Sequence, residues 1–231
     1  MRRGPNLHMV ERVAEALGPL RERVVFLGGC ATGLLLTDTA APSIRSTKDV
    51  DVIVEVATRL AYHKIEQELV RLGFQHDTSE GAPLCRWTFD DLLLDVMPTD
   101  PELLGFSNRW YPEAVHHAVA CELPSGLWIR LVTSPYFLAT KLEAFFGRGR
   151  GDFFGSHDLE DFVAVMDGRP EVIKETLAAS SELRQYLAKT LASLLGDPDF
   201  VYSLQGHLPP DPGSQGRLPM VLEMIGTLAR M

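Results

Sequence analysis

Apolar positions recur at helical spacing over residues 7–17, and Gly18-Pro19 ends the pattern. The run "RVVFLGG" (23–29) then predicts a short buried strand closed by a glycine pair. "CATGLLLTD" (30–38) predicts a helix opening directly after it. A loop rich in Ala, Pro, Ser and Thr (39–48) leads to "DVDVIVEV" (49–56), a strand of β-branched character, and to an amphipathic helix (59–73) closed by Gly73. "PLCRWTF" (83–89) and "LLLDVMP" (92–98) predict an antiparallel pair around a tight Asp90-Asp91 connection. "HAVACEL" and "LWIRLVT" flank the turn "PSG" in the same way. Two hairpins exclude a purely parallel sheet.

From Ser134 onward the pattern is helical: 134–147 with Pro135 early, 156–168 with Ser156 as N-cap, further helices over 170–196, a loop at 207–216 and a last helix at 217–231. The reading is α/β (α+β), a mixed sheet with flanking helices in a domain at 1–133, then a helical domain at 134–231.

At 231 residues, 45% hydrophobic and 23% charged, the chain has the composition of a globular protein with a sizeable core. Three scattered cysteines fit neither a disulfide framework nor a zinc spacing, and a reducing cytoplasm is the expected compartment. The N-terminal Arg2 and Arg3 resemble the start of a signal peptide, but Glu11, Arg12 and Glu15 break the apolar stretch that should follow. No apolar run approaches a membrane span. The net charge of −9 argues against broad, nonspecific nucleic-acid binding, while leaving room for a small basic groove.

Within the strand at 49–56, Asp49 and Asp51 share one face, and Val50 and Val52 face the other side. Two carboxylates so close suit a divalent ion such as Mg²⁺, which takes one or two carboxylates plus substrate phosphates; a solvated strand end is the alternative. Three features favour the ion. Gly28 and Gly29 stand at a strand-to-helix turn, where backbone N–H groups and the helix dipole attract phosphate. Asp95 lies alone in the apolar run "LLLDVM" and needs a partner, which a third metal-ligand role supplies. Lys141, Arg148, Asp158 and Asp161 recur within one stretch, with the last two on one helix face. Basic groups there suit a triphosphate or a leaving pyrophosphate; a surface salt-bridge cluster is the alternative.

The series Gly28-Gly29 followed by R-x-T-x-D-x-D (Arg45, Thr47, Asp49, Asp51) resembles the polymerase-β-type nucleotidyltransferase superfamily. The later K-x-x-A-x-x-x-R run (Lys141, Ala144, Arg148) and D-L-x-D (Asp158 to Asp161) are similar to the AbiEii/AbiGii toxin family, which includes the MenT-type toxins. The resemblance spans residues 26–163. It implies a polymerase-β-like nucleotidyltransferase fold whose helical C-terminal part completes the active site. It also implies Mg²⁺-dependent transfer of a nucleoside monophosphate from a nucleoside triphosphate to an acceptor hydroxyl.

On that reading Asp49 and Asp51 hold one or two Mg²⁺ ions, with Asp95 completing the second site. Gly28, Gly29 and Cys30 cradle phosphate, with Thr32 or backbone amides alone as the alternative to Cys30; Arg45 and Thr47 belong to the nucleotide site by ordering the preceding loop, and Arg45 can also reach a phosphate; Lys141 and Arg148 neutralise the triphosphate, and Asp158 positions or deprotonates the acceptor. The acceptor is expected to be tRNA or another RNA, and a cognate antitoxin is an expected partner. Two departures stand out: Cys30 replaces the usual Ser or Thr, and His157 replaces the usual Lys or Arg. They keep a non-catalytic nucleotide-binding relative open, beside a small-molecule, antibiotic-type nucleotidyltransferase. His63, His116, His117, Trp87, Trp110, Trp128, Cys85 and Cys121 are read as surface or packing residues.

Overall fold

The computed structural model describes residues 4–105, 108–149 and 151–231; Arg2, Arg3 and Arg150 lie outside them. The chain divides into two compact units. One comprises residues 4–33 together with Arg45–Thr133; the other comprises Leu34–Ile44 and Ser134–Met231.

The first unit is built on a seven-stranded sheet. Its strands are β1 (Val24–Leu27), β2 (Asp49–Val54), β3 (Gln75–His76), β4 (Arg86–Phe89), β5 (Leu92–Pro98), β6 (Val119–Glu122) and β7 (Trp128–Leu131). They lie in the order β3-β4-β5-β2-β1-β7-β6. The β2–β5 and β1–β7 pairs are parallel and the other pairs antiparallel, so the sheet is mixed, as expected. Both expected hairpins form. In the first, Asp90 takes a left-handed turn conformation (φ 52°) that lets a two-residue loop join β4 to β5.

Helices α1 (Leu7–Ala16), α2 (Gly28–Leu35), α3 (Arg59–Arg71), α4 (Pro101–Leu104) and α5 (Tyr111–His116) accompany the sheet in chain order. Helix α1 lies against β2 and β5, and α5 lies against β1 and β2. All four residues of β1 are buried, and Val50, Val52, Leu94 and Val96 bury the centre of the sheet. Burial of each such side chain contributes about 1.5–3 kcal/mol. Trp87 and Trp110 are core residues, whereas Trp128 is 54% exposed on β7.

One boundary and several short elements differ from expectation. Helix α2 starts at Gly28, so the glycine pair opens the helix instead of ending the strand. The short β3, α4 and α5, and the helices Pro198–Ser203 and Pro212–Gln215, were not anticipated, the last lying in the segment 207–216 read as a loop, because elements of two to six residues carry too little periodicity to register.

The second unit is helical: α6 (Ser134–Arg148), α7 (His157–Gly168), α8 (Val172–Ala178), α9 (Ser181–Leu195), α10 (Pro198–Ser203), α11 (Pro212–Gln215) and α12 (Leu218–Ala229). Leu183, Leu187, Leu191 and Leu194 form a buried stripe at helical spacing along α9, which packs against α12. Ser156 caps α7 by accepting from the Leu159 N–H. The segment 34–44 belongs here through specific bonds: the N–H groups of Thr37 and Asp38 both donate to the Gly168 carbonyl at 2.9 Å. Arg217 donates to Asp167 Oδ1 (2.5 Å) and to Asp38 Oδ2 (2.6 Å). No helix among the described residues is long and apolar enough to cross a membrane.

Candidate functional site

The D-x-D pair opens β2, and the ladder places Asp51 level with Asp95 on the parallel neighbour β5 and with Leu27 on β1. The chain turns into α2 immediately after Leu27. Gly28 there has φ 72°, and a β-carbon on it would sit 1.9 Å from Asp51 Oδ2. A carboxylate and the first amides of a helix thus meet at one strand end, and only glycine permits the approach.

Cys30, expected at the phosphate turn, makes a local bond instead. Cys30 is buried and its thiol donates to the Leu27 carbonyl at 3.1 Å. Thr32 is buried too, its hydroxyl within 3.5 Å of the Gly28 carbonyl one turn back. Any anion binding at this helix start rests on backbone N–H groups. The turn is braced by Asn6, a buried residue that the sequence reading passed over. Its Nδ2 donates to the carbonyls of Gly29 (3.3 Å) and Arg45 (3.1 Å), and its Oδ1 accepts from the Thr47 N–H (3.0 Å). The Thr47 hydroxyl donates to the Asp49 carbonyl at 3.2 Å. The Arg45–Thr47 segment is therefore tied both to the glycine turn and to the strand that carries the acidic pair.

Asp95 does have the partner its burial demands, and the partner is Arg86. The Asp90-Asp91 hairpin sets Arg86 of β4 opposite Asp95. Arg86 Nε donates to Asp95 Oδ1 and one terminal nitrogen to Oδ2, both at 2.8 Å. That nitrogen also reaches Asp49 Oδ2 at 2.6 Å. The hydrogen bonds to Asp95 hold the guanidinium above its already high ordinary pKa, so it is a permanent cation.

Asp49 and Asp95 are thus brought together with Asp51 along two adjacent strands, but with a guanidinium among them. Among the described residues no three His, Cys, Asp or Glu side chains form a group that could hold a metal ion. As placed, this donor set does not fit the one or two Mg²⁺ ions expected of it. Cys85, next to Arg86, is buried; burial and the nearby Asp95 charge push its thiol up to about 12, so it packs and does not react.

The later motif forms a cluster within the helical unit. Lys141 of α6 is buried and donates to Asp161 Oδ2 (2.6 Å) and Asp158 Oδ1 (3.2 Å) of α7. Arg148 makes a two-pronged contact with Asp158 (3.0 and 2.9 Å) and is 74% exposed. Burial pushes the Asp158 carboxyl upward, but Arg148 and Lys141 overcome this and hold it below the usual range. A carboxylate held by two cations is a weaker proton acceptor than a free one. His157 is exposed and faces Glu160 at 3.1 Å.

The sequence matches no known protein-family pattern and no curated protein. Among solved structures, the chain is similar to a provisionally assigned nucleotidyltransferase from H. pylori. The TM-score is 0.49 and the identity 12%, over 99% of this chain and 96% of the other. It is also similar to JHP933 from Helicobacter pylori (TM-score 0.48, 11% identity), over 100% of this chain and 94% of that one.

Proposed function

We propose that this chain is a nucleotidyltransferase that moves a nucleoside monophosphate from a nucleoside triphosphate to an acceptor hydroxyl. One observation carries the reading: the amides opening α2 and the Asp51 carboxylate meet at Gly28, with Asp95 level on the next strand. Amides at a helix start bind phosphate oxygens. A carboxylate beside them accepts a hydroxyl proton or counters a cation that travels with the phosphates. The pairing suits a reaction in which a hydroxyl attacks phosphorus.

The sequence resemblance narrows the proposal to a toxin of a toxin–antitoxin pair acting on tRNA or another RNA. Arg148, the exposed cation of its cluster, is the side chain best placed to meet a phosphate in the helical unit. Incubating the protein with each labelled triphosphate, Mg²⁺ and total tRNA tests the reaction, with Asp51→Ala as control. Label is expected on RNA with the wild type and not with the variant; equal labelling by both removes Asp51 from the chemistry. Growth arrest on expression in a bacterium, relieved by Asp51→Ala, tests the toxin role.

The Arg86 contacts favour a second reading, a relative that binds nucleotide without turnover. Calorimetric binding of triphosphate with no label transfer to any acceptor would select it.

A further inference from the structure

The oxygens that Arg86 occupies are those a hard cation would use. The guanidinium takes both oxygens of Asp95 and one of Asp49, with side-chain exposures of 19% for Arg86, 10% for Asp95 and 30% for Asp49. Its position is built in, because a two-residue hairpin sets β4 against β5 with Arg86 facing Asp95. A divalent ion on these oxygens would stand close to the guanidinium, and two cations at such range in a half-buried site repel, which weakens metal binding.

We propose that Arg86 is a resident cation that competes with divalent metal for Asp49 and Asp95. The carboxylate cluster then takes a metal ion only when Arg86 is displaced. This rests on the nucleotidyltransferase reading only in that the same cluster serves both. A polyphosphate offers what a free metal ion lacks: an anion on which the planar guanidinium can form two parallel hydrogen bonds. Arg86 accordingly disfavours metal on these carboxylates, and a polyphosphate is the kind of anion that would draw it away.

The test uses Mn²⁺ alone as probe, with free ion followed by electron paramagnetic resonance. Arg86→Gln is expected to bind Mn²⁺ at least about tenfold more tightly than the wild type, because two carboxylates lose their counter-ion. Equal or weaker binding by the variant, or none by either protein, overturns the proposal.

If Arg86→Gln does not fold in metal-free buffer, millimolar Mn²⁺ is expected to restore its cooperative melting transition. Failure to restore it counts against the competition. The label-transfer experiment with Asp51→Ala is independent. A gain in Mn²⁺ affinity without any transfer keeps the role of Arg86 and removes the reaction, and the reverse result removes only the competition.

Discussion

Gly28 and Asp51 approach so closely that a β-carbon on the glycine would lie 1.9 Å from the Asp51 carboxylate. Gly28 also holds φ 72°, where side chains other than glycine's are disfavoured. Gly81 has a similar φ of 83° with nothing within 4 Å of its added β-carbon among the described residues. Gly81→Ala is therefore expected to cost only the backbone strain, about 1–2 kcal/mol. Gly28→Ala adds the clash and is expected to cost about 1–3 kcal/mol more. Urea unfolding of both variants measures the difference. If the two cost the same, the contact with Asp51 is not what demands glycine.

Asn6 makes three hydrogen bonds that hold the glycine turn to the Arg45–Thr47 segment. Asn6→Leu leaves two carbonyls and one N–H without their partner, for an expected loss of about 2–4 kcal/mol. Triphosphate affinity is expected to fall as well, because the amides of the turn are no longer fixed. The lost bonds join neutral groups, which salt does not screen, so the gap in affinity between variant and wild type should persist at high salt. Calorimetry on Asn6→Leu and on Asn6→Asp separates the two effects: Asp retains the acceptor for Thr47 and loses the donors.

Much of this was legible in the chain. Alternation along β2 put Asp49 and Asp51 on one face, and the ladder bears that out. The partner of Asp95 was legible too, though it was assigned to a metal. A two-residue loop at Asp90-Asp91 pairs Phe89 with Leu92, and counting outward sets Arg86 against Asp95. A lone cation facing a lone anion across a hairpin is a stronger signal than a shared ion, because it needs nothing from outside the chain. Asn6 was not legible, since its three partners lie 23 to 41 residues away. The fate of the Cys30 thiol depended on α2 starting at Gly28, two residues before the expected position. That shift turns the side chain back toward Leu27.

Arg217 joins α12 to Asp167 at the end of α7 and to Asp38 in the 34–44 segment. Asp167 has 2% side-chain exposure, so removing Arg217 takes a cationic partner from a buried charge. Arg217→Met is expected to destabilise the protein by about 3–5 kcal/mol. Hydrogen exchange is expected to accelerate at Thr37 and Asp38, whose N–H groups share the Gly168 carbonyl. Unchanged protection at those two amides would show that Gly168 holds the segment without help.

Burial works to raise the Asp158 pKa, yet Arg148 and Lys141 together outweigh it, and the folded-state value is depressed. Its contribution to stability is therefore complete above the unfolded-state value of about 3.9 and is lost as pH falls through the lower folded value. Asp158→Asn keeps the shape and removes the charge. Lys141 retains Asp161, and Arg148 is largely exposed, so the expected cost at pH 7 is about 3 kcal/mol, the low end for a broken buried pair. Urea unfolding of wild type and variant from about pH 7 to about pH 2.5 is the measurement. The gap between them should stay constant down to about pH 4 and then narrow, since the wild type acquires the proton that the variant no longer needs. A gap that widens between about pH 7 and about pH 5 would mean a raised carboxyl, and would return Asp158 to the role of general base.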